Sequence, residues 1–176
     1  MIALPDFSPG AMENWGLITY REEALLYDPL LSSASDRHRV VDIIAHEVAH
    51  QWFGNLVTMK WWTDLWLNEG FATYMAYLGT DAFEPSWSIR DLFVTSELQY
   101  VFSLDSLETS HPISVPVTTT EEINQLFNSL SYSKGASIIR MMSSFLTDAT
   151  FKAGITNYLN NHMYGNADQD DLWEAL

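Results

Sequence analysis

The stretch Asp42-Ile43-Ile44-Ala45-His46-Glu47-Val48-Ala49-His50-Gln51-Trp52-Phe53-Gly54 decides how the rest of this chain is read. Apolar residues at Val40, Ile43, Ile44, Val48 and Trp52 recur at helical spacing, which predicts a helix over residues 36–53. Ser35 or Asp36 suits its N-cap and Gly54 its stop. His46 and His50 stand one turn apart on that helix, so both imidazoles project from one face. Two ring nitrogens so placed can bind one tetrahedral zinc ion at ~2.0–2.1 Å. Alone, the pair is only moderately specific, since two satisfied or exposed helix histidines give the same spacing.

A carboxylate downstream weighs against that bland reading. Asn68-Glu69-Gly70 begins a second predicted helix, residues 67–78, with Gly79 as its stop. Glu69 closes a His₂Glu donor set and leaves the fourth zinc position open, as catalytic zinc requires. An unpaired glutamate among Leu65, Trp66, Leu67 and Phe71 would be costly to bury. Glu47 is not expected to be a ligand. It sits beside His46, within reach of a water on the metal, whose pKa zinc lowers to about 7. A carboxylate there can take the water's proton as general base and later return it, as general acid, to the leaving amine.

Outward from these helices, no repeat or low-complexity tract interrupts the chain. The first ~25 residues read as strand and turn, punctuated by Pro5, Pro9 and Gly10, with Leu17-Ile18-Thr19-Tyr20 as a strand. Further helices are expected over residues 86–102, 134–146, 149–160 and 170–176, with a loop over 110–116. Thr119 and Glu122 form a capping-box pattern for a short helix reaching about residue 130. The fold class is therefore α+β, predominantly α: a short N-terminal strand region followed by helices. Trp61, Trp62 and Trp66 are expected to pack around the zinc helices, with the alternative that one of them lines the substrate cleft, and Ile138, Ile139, Met141 and Met142 to form a core stripe. His38, His111 and His162 lack partner spacing and are expected to be structural or exposed.

Composition narrows the function. Apolar residues make up 47 % of the 176 and aromatics 14 %, a globular balance. A formal charge of −15 argues against nucleic acid as a partner. It fits a solvated acidic surface, and also a field that attracts cationic groups such as a peptide's terminal ammonium. No apolar run reaches the ~18 residues of a membrane helix, so no membrane contact is expected from this segment. With no cysteine, thiol ligation of a metal is excluded.

Three motifs and one overlapping stretch carry a family resemblance. Gly10-Ala11-Met12-Glu13-Asn14-Trp15-Gly16 matches the GAMEN signature, and His46–His50 with Asn68-Glu69 matches the gluzincin pattern. Tyr132-Ser133-Lys134-Gly135-Ala136-Ser137 supplies a third landmark, and His50-Gln51-Trp52-Phe53-Gly54-Asn55-Leu56-Val57 reads the same way. Together they resemble the aminopeptidase N-like zinc metallopeptidases over essentially the whole chain. The resemblance implies a thermolysin-like catalytic domain, here a partial one over residues 1–176, truncated at both ends. It implies one Zn²⁺ per chain on His46, His50 and Glu69, with Glu47 as general base and acid. Tyr132 would stabilise the tetrahedral intermediate. Glu13 would bind the substrate's free α-amine, and Gly10, Ala11, Met12 and Asn14 would complete the substrate-binding segment. The implied reaction is hydrolysis of the N-terminal peptide bond of peptides that have a free N-terminus.

The residues agree with that implication. An exopeptidase must tell a chain end from chain middle, and Glu13 supplies an anion for a terminal ammonium. Alternatives in the same family are a catalytically silent receptor or binding homologue, and a bifunctional epoxide hydrolase–aminopeptidase. The first would be expected to lose a ligand or the base; the second needs a lipid tunnel. The parent protein is expected at the plasma membrane, on its extracellular face, through an anchor outside this segment. The segment alone is expected to bind zinc weakly and to turn over slowly.

Overall fold

The computed structural model describes residues 1–176. The chain opens with β1 (Ile2–Leu4), β2 (Ala11–Met12) and β3 (Thr19–Arg21), followed by a single turn, α1 (Glu22–Leu25). The strands form one sheet in the order β1-β3-β2. β1 runs parallel to β3, and β2 antiparallel with Ala11 opposite Tyr20. β2 is thus an edge strand with one side unpaired. The expected strand over residues 17–20 shifts to 19–21. Ile18, Tyr20 and Ala24 are buried against Ile43 and Ile44 of the next helix.

That helix is α2 (Ala34–Ala49), which carries the paired histidines. Its cap is Ser33, two to three residues ahead of the expected position. Asp36 instead serves as the reciprocal partner of the box: its backbone N–H donates to Ser33 Oγ at 3.1 Å, and its carboxylate accepts from Ser33 N–H at 2.9 Å. The regular helix ends at Ala49, not at residue 53. Tighter three-residue turns follow, with Gln51 N–H donating to Val48 O and Trp52 N–H to Ala49 O. Gly54, at φ +134°, then reverses the chain.

A strand that the sequence pattern does not predict comes next. β4 (Val57–Met59) pairs in parallel with a second such strand near the far end of the chain. α3 (Trp66–Phe83) runs straight through Gly79, the predicted stop. A Cβ at Gly79 would meet Ala45 Cβ at 3.4 Å, so that glycine marks close packing on α2. The helix stops instead before Pro85, which disfavours helical backbone at Glu84.

The expected helix over 86–102 is broken into parts. A 3₁₀ turn at Pro85–Trp87 and a left-handed Ser88 (φ +51°) delay its start. α4 (Ile89–Phe93) and α5 (Gln99–Asp105) then flank a π turn, Val94–Leu98. α6 (Thr120–Leu126) has the expected Thr119/Glu122 box but ends earlier than residue 130. A second π turn, Leu130–Lys134, leads into α7 (Gly135–Leu146). α8 (Asp148–His162), β5 (Gly165–Ala167) and α9 (Gln169–Ala175) complete the chain, and β5 is the partner of β4.

α3 lies at the centre of the main core, with Trp66, Leu67, Phe71, Tyr74 and Tyr77 buried against Phe93, Ile139, Phe151, Tyr158 and Leu172. Phe53 stacks on Phe71 at 4.5 Å. Two packing expectations need correction. Trp66 is fully buried, but Trp61 is 51 % exposed, and Met141 lies on the outer face of α7 at 66 % exposed. α7 is amphipathic, so only one side of the Ile/Met stripe turns inward.

α3 and α7 touch backbone to backbone. A Cβ at Gly70 would lie 3.0 Å from Gly135 Cα and C. This approach matters because Gly70 follows Glu69 and Gly135 lies three residues after Tyr132. Gly70→Ala is expected to destabilise the fold by about 1–3 kcal/mol through overpacking. Calorimetry should show the melting temperature falling by roughly 2–4 °C per kcal/mol. An unchanged melting temperature would mean that the helices part freely.

Candidate active site

α2 and α3 bring three donors to a point. His46 Nε2 and His50 Nε2 are 3.0 Å apart, and Glu69 Oε2 lies 3.3 and 3.2 Å from them. Tetrahedral zinc with bonds near 2.0–2.1 Å spaces its ligand atoms by about 3.3 Å, so this triangle has the right size. Its chemistry fits as well. His50 Nδ1 lies 2.8 Å from Phe53 O, and a carbonyl only accepts, so Nδ1 carries a proton. In the neutral ring Nε2 then presents a lone pair to Glu69 and to His46. Converging lone pairs demand a positive charge, and the Nδ1–H···O=C contact is the kind that orients a metal-binding imidazole.

The electrostatics of the metal-free chain express the same demand. Burial opposes ionisation of Glu69, yet hydrogen bonds from His46 and His50 hold its carboxyl at about 2. His50 resists protonation through burial, but Glu69 and then Glu13 raise it to about 9.

Glu47 points to the same place without joining the triangle. Its Oε2 is buried and has no hydrogen-bond partner. Burial pushes its carboxyl up to about 8; Glu13 and Glu69 add to the rise and His50 opposes it. Tyr132, on the π turn before α7, lies parallel to the His46 ring, with centroids 6.2 Å apart. Burial, then the carboxylate of Glu69, raises its phenol far above the ordinary range. The hydroxyl therefore remains a neutral donor at any physiological pH.

One cavity of about 630 Å³ is lined by His46, Glu47, His50, Glu69, Tyr132 and Glu13, together with Pro9, Ala11 and Met12. Glu13 Oε1 lies 3.9 Å from His50 Nδ1. Two residues of the expected substrate-binding segment do not line this cavity. The Asn14 side chain turns back to donate to Thr19 Oγ1 at 3.0 Å, which braces the β2–β3 turn. Gly10 is exposed, and its carbonyl accepts from Arg21 N–H at 2.9 Å. Trp61 and Trp62 line the cavity, and Trp61 Nε1 donates to Val117 O. His38, His111 and His162 all lie outside the lining.

Gln51 and Asn55 carry a role that their sequence context does not announce. Both side-chain amides donate to the backbone carbonyl of Glu13, at 3.3 and 2.8 Å. A signal exists: Glu47, Gln51 and Asn55 stand at spacings of four, a stripe that continues one face of α2 past its end.

Comparison with known proteins bears on the whole of this arrangement. Residues 1–176 match the Peptidase family M1 domain. The chain is 59 % identical over 178 residues to "Aminopeptidase N" of Oryctolagus cuniculus and 56 % identical over 178 residues to that of Homo sapiens. It is 54 % identical over 175 residues to "Aminopeptidase 2, mitochondrial" of Saccharomyces cerevisiae. Each comparison covers 99 % of this chain, which spans only 18 % of the length of each relative.

Proposed function

We propose the function of this chain from one premise: it belongs to peptidase family M1. It is the zinc-binding catalytic segment of an aminopeptidase and takes part in releasing the N-terminal residue of a peptide. The observation that carries this reading is a shared cavity: the donor triangle and the Glu13 carboxylate line the same 630 Å³ space. The triangle supports hydrolysis, and an anion beside it supports recognition of a chain end.

His46, His50 and Glu69 would hold the zinc ion. When bound, zinc acts as a Lewis acid on the scissile carbonyl and makes water acidic enough to lose a proton near neutrality. Glu47 accepts that proton on its unpartnered Oε2 and returns it to the leaving amine. Tyr132 donates its hydroxyl to the oxyanion as charge develops there. Glu13 binds the substrate's ammonium in a partly desolvated site. β2 offers its unpaired edge, next to the cavity, to an extended substrate as an added strand. We read the 176 residues as part of a thermolysin-like catalytic domain on the resemblance alone; the chain spans 18 % of the length of the relatives it matches. No helix is long and apolar enough to cross a membrane, and the placement of the longer protein at the plasma membrane rests on the resemblance alone.

The test compares an aminoacyl anilide with its N-acetyl form in the zinc-loaded protein. Hydrolysis of only the free-amine substrate is expected, and equal hydrolysis of both would refute exopeptidase action. Glu13→Ala is expected to lower kcat/KM for the free-amine substrate by about 30- to 1000-fold, the effect of losing a desolvated charge-assisted contact of ~2–4 kcal/mol. An equal response of blocked and free substrates would remove Glu13 as the amine anchor.

A further inference from the structure

We infer that Asn55, assisted by Gln51, is a positioning residue that sets where the Glu13 carboxylate stands relative to the zinc triangle. The inference rests on the reading of Glu13 as the amine anchor.

The β2–β3 ladder ends at Met12, so Glu13 lies just beyond it. Its carbonyl instead receives two side-chain amides: Asn55 Nδ2 at 2.8 Å and Gln51 Nε2 at 3.3 Å. Two donors fill both lone pairs of that oxygen. Each amide is itself held. Asn55 Nδ2 also donates to Gln51 Oε1 at 3.2 Å, and Gln51 Nε2 also donates to Glu47 O at 3.0 Å. The Asn55 backbone N–H donates to His50 O at 3.0 Å. The chain of contacts therefore ties the backbone of Glu13 to the backbones of Glu47 and His50.

This arrangement has a functional consequence. A two-residue edge strand is a weak mount for an anion that must meet an ammonium at hydrogen-bond distance. The Asn55–Gln51 pair fastens that mount to the end of the helix that carries the base and both histidine ligands. Binding groups must be held within about 0.5 Å of productive geometry, and a misplacement of about 1 Å can cost 10²-fold. Glycine at position 54 is part of the device. Its φ of +134° lets the chain turn back, and a Cβ there would press on His50 Nδ1 at 3.3 Å.

The experiment uses zinc-loaded protein and two probes, alanine hydroxamate and N-acetylalanine hydroxamate, with affinities read by calorimetry. Asn55→Leu removes the donor at similar volume and adds no charge. It is expected to weaken the free-amine probe by about 10- to 100-fold and the acetylated probe by less than about twofold, with zinc content unchanged. Asn55→Gln keeps an amide donor and is expected to recover part of the loss. Glu13→Ala, run alongside, separates the anchor role from the positioning role. If Glu13→Ala discriminates between the probes and Asn55→Leu does not, the positioning role is overturned and the anchor stands. If Glu13→Ala does not discriminate, both fail. Equal weakening of both probes by Asn55→Leu, or loss of zinc or fold in both Asn55 variants, would make Asn55 a general structural residue and overturn the inference.

Discussion

Replacing Glu47 by glutamine is expected to leave zinc bound and to lower kcat by roughly 10²- to 10⁴-fold, the usual worth of a positioned proton acceptor. The substitution keeps the shape of the side chain and exchanges one carboxylate oxygen for an amide nitrogen. Glu47 makes no side-chain hydrogen bond through its buried Oε2, so no structural contact is lost there. The Gln51 contact to this residue goes to its backbone carbonyl and survives the change. Folding and metal content should therefore be those of the parent, while the amide cannot take a proton. Steady-state kinetics with an aminoacyl anilide, paired with metal analysis, decides the matter. Activity within about threefold of the parent would rule Glu47 out as the base.

A His46→Ala/His50→Ala double variant should hold no zinc under conditions where the parent holds about one per chain. Even partners that merely orient a ligand are worth 10- to 100-fold in metal affinity, so losing two of three ligands exceeds that range. The loss should also appear in stability. A ligand that binds only the folded state at 100 times its dissociation constant adds about 2.7 kcal/mol. Zinc should accordingly raise the melting temperature of the parent, by roughly 2–4 °C per kcal/mol, and leave that of the variant unmoved. Alanine at these two positions also removes metal-independent contacts, the 3.0 Å Nε2–Nε2 contact and those of both rings to Glu69. The apo variant and the apo parent therefore differ in contacts other than those to zinc, and the zinc-induced shift is the quantity to compare. Full zinc occupancy in the double variant would sink the ligand assignment.

The three-donor core of this candidate site is legible in the sequence. His46, Glu47 and His50 share one helix, and helical periodicity is a local property that puts positions four apart on one face. The caps that start α2 and α6 are legible for the same reason, although the first lies two to three residues earlier than its pattern suggests. Glu69 needs only a second helix nearby and an apolar surround that penalises an unpaired carboxylate. Glu13 and Tyr132 are different: nothing in their own neighbourhoods sets them apart from turn and core residues. The family resemblance alone picks them out, and the cavity brings them beside the triangle.

Gly79 and Gly54 show where a local signal misleads. In sequence both have the look of helix stops. One is a point of close packing between α2 and α3, and the other reverses the chain after the helix has already ended. A glycine that saves space and a glycine that bends the chain look alike in sequence.

Spacing within about twenty residues is therefore enough to specify the two-helix donor motif, and local periodicity along the chain the predominantly helical α+β class, while the other signature segments are picked out by resemblance. The remaining features arise only when distant segments pack together. β4 pairs with β5 across more than a hundred residues, and α3 meets α7 at Gly70 and Gly135. Asn14 turns out of the cavity and Trp61 into its wall. The Glu13 carbonyl hangs on two amides some forty residues away. No local pattern encodes such contacts, because whether they form depends on how the helices pack and on the closure of long loops between them.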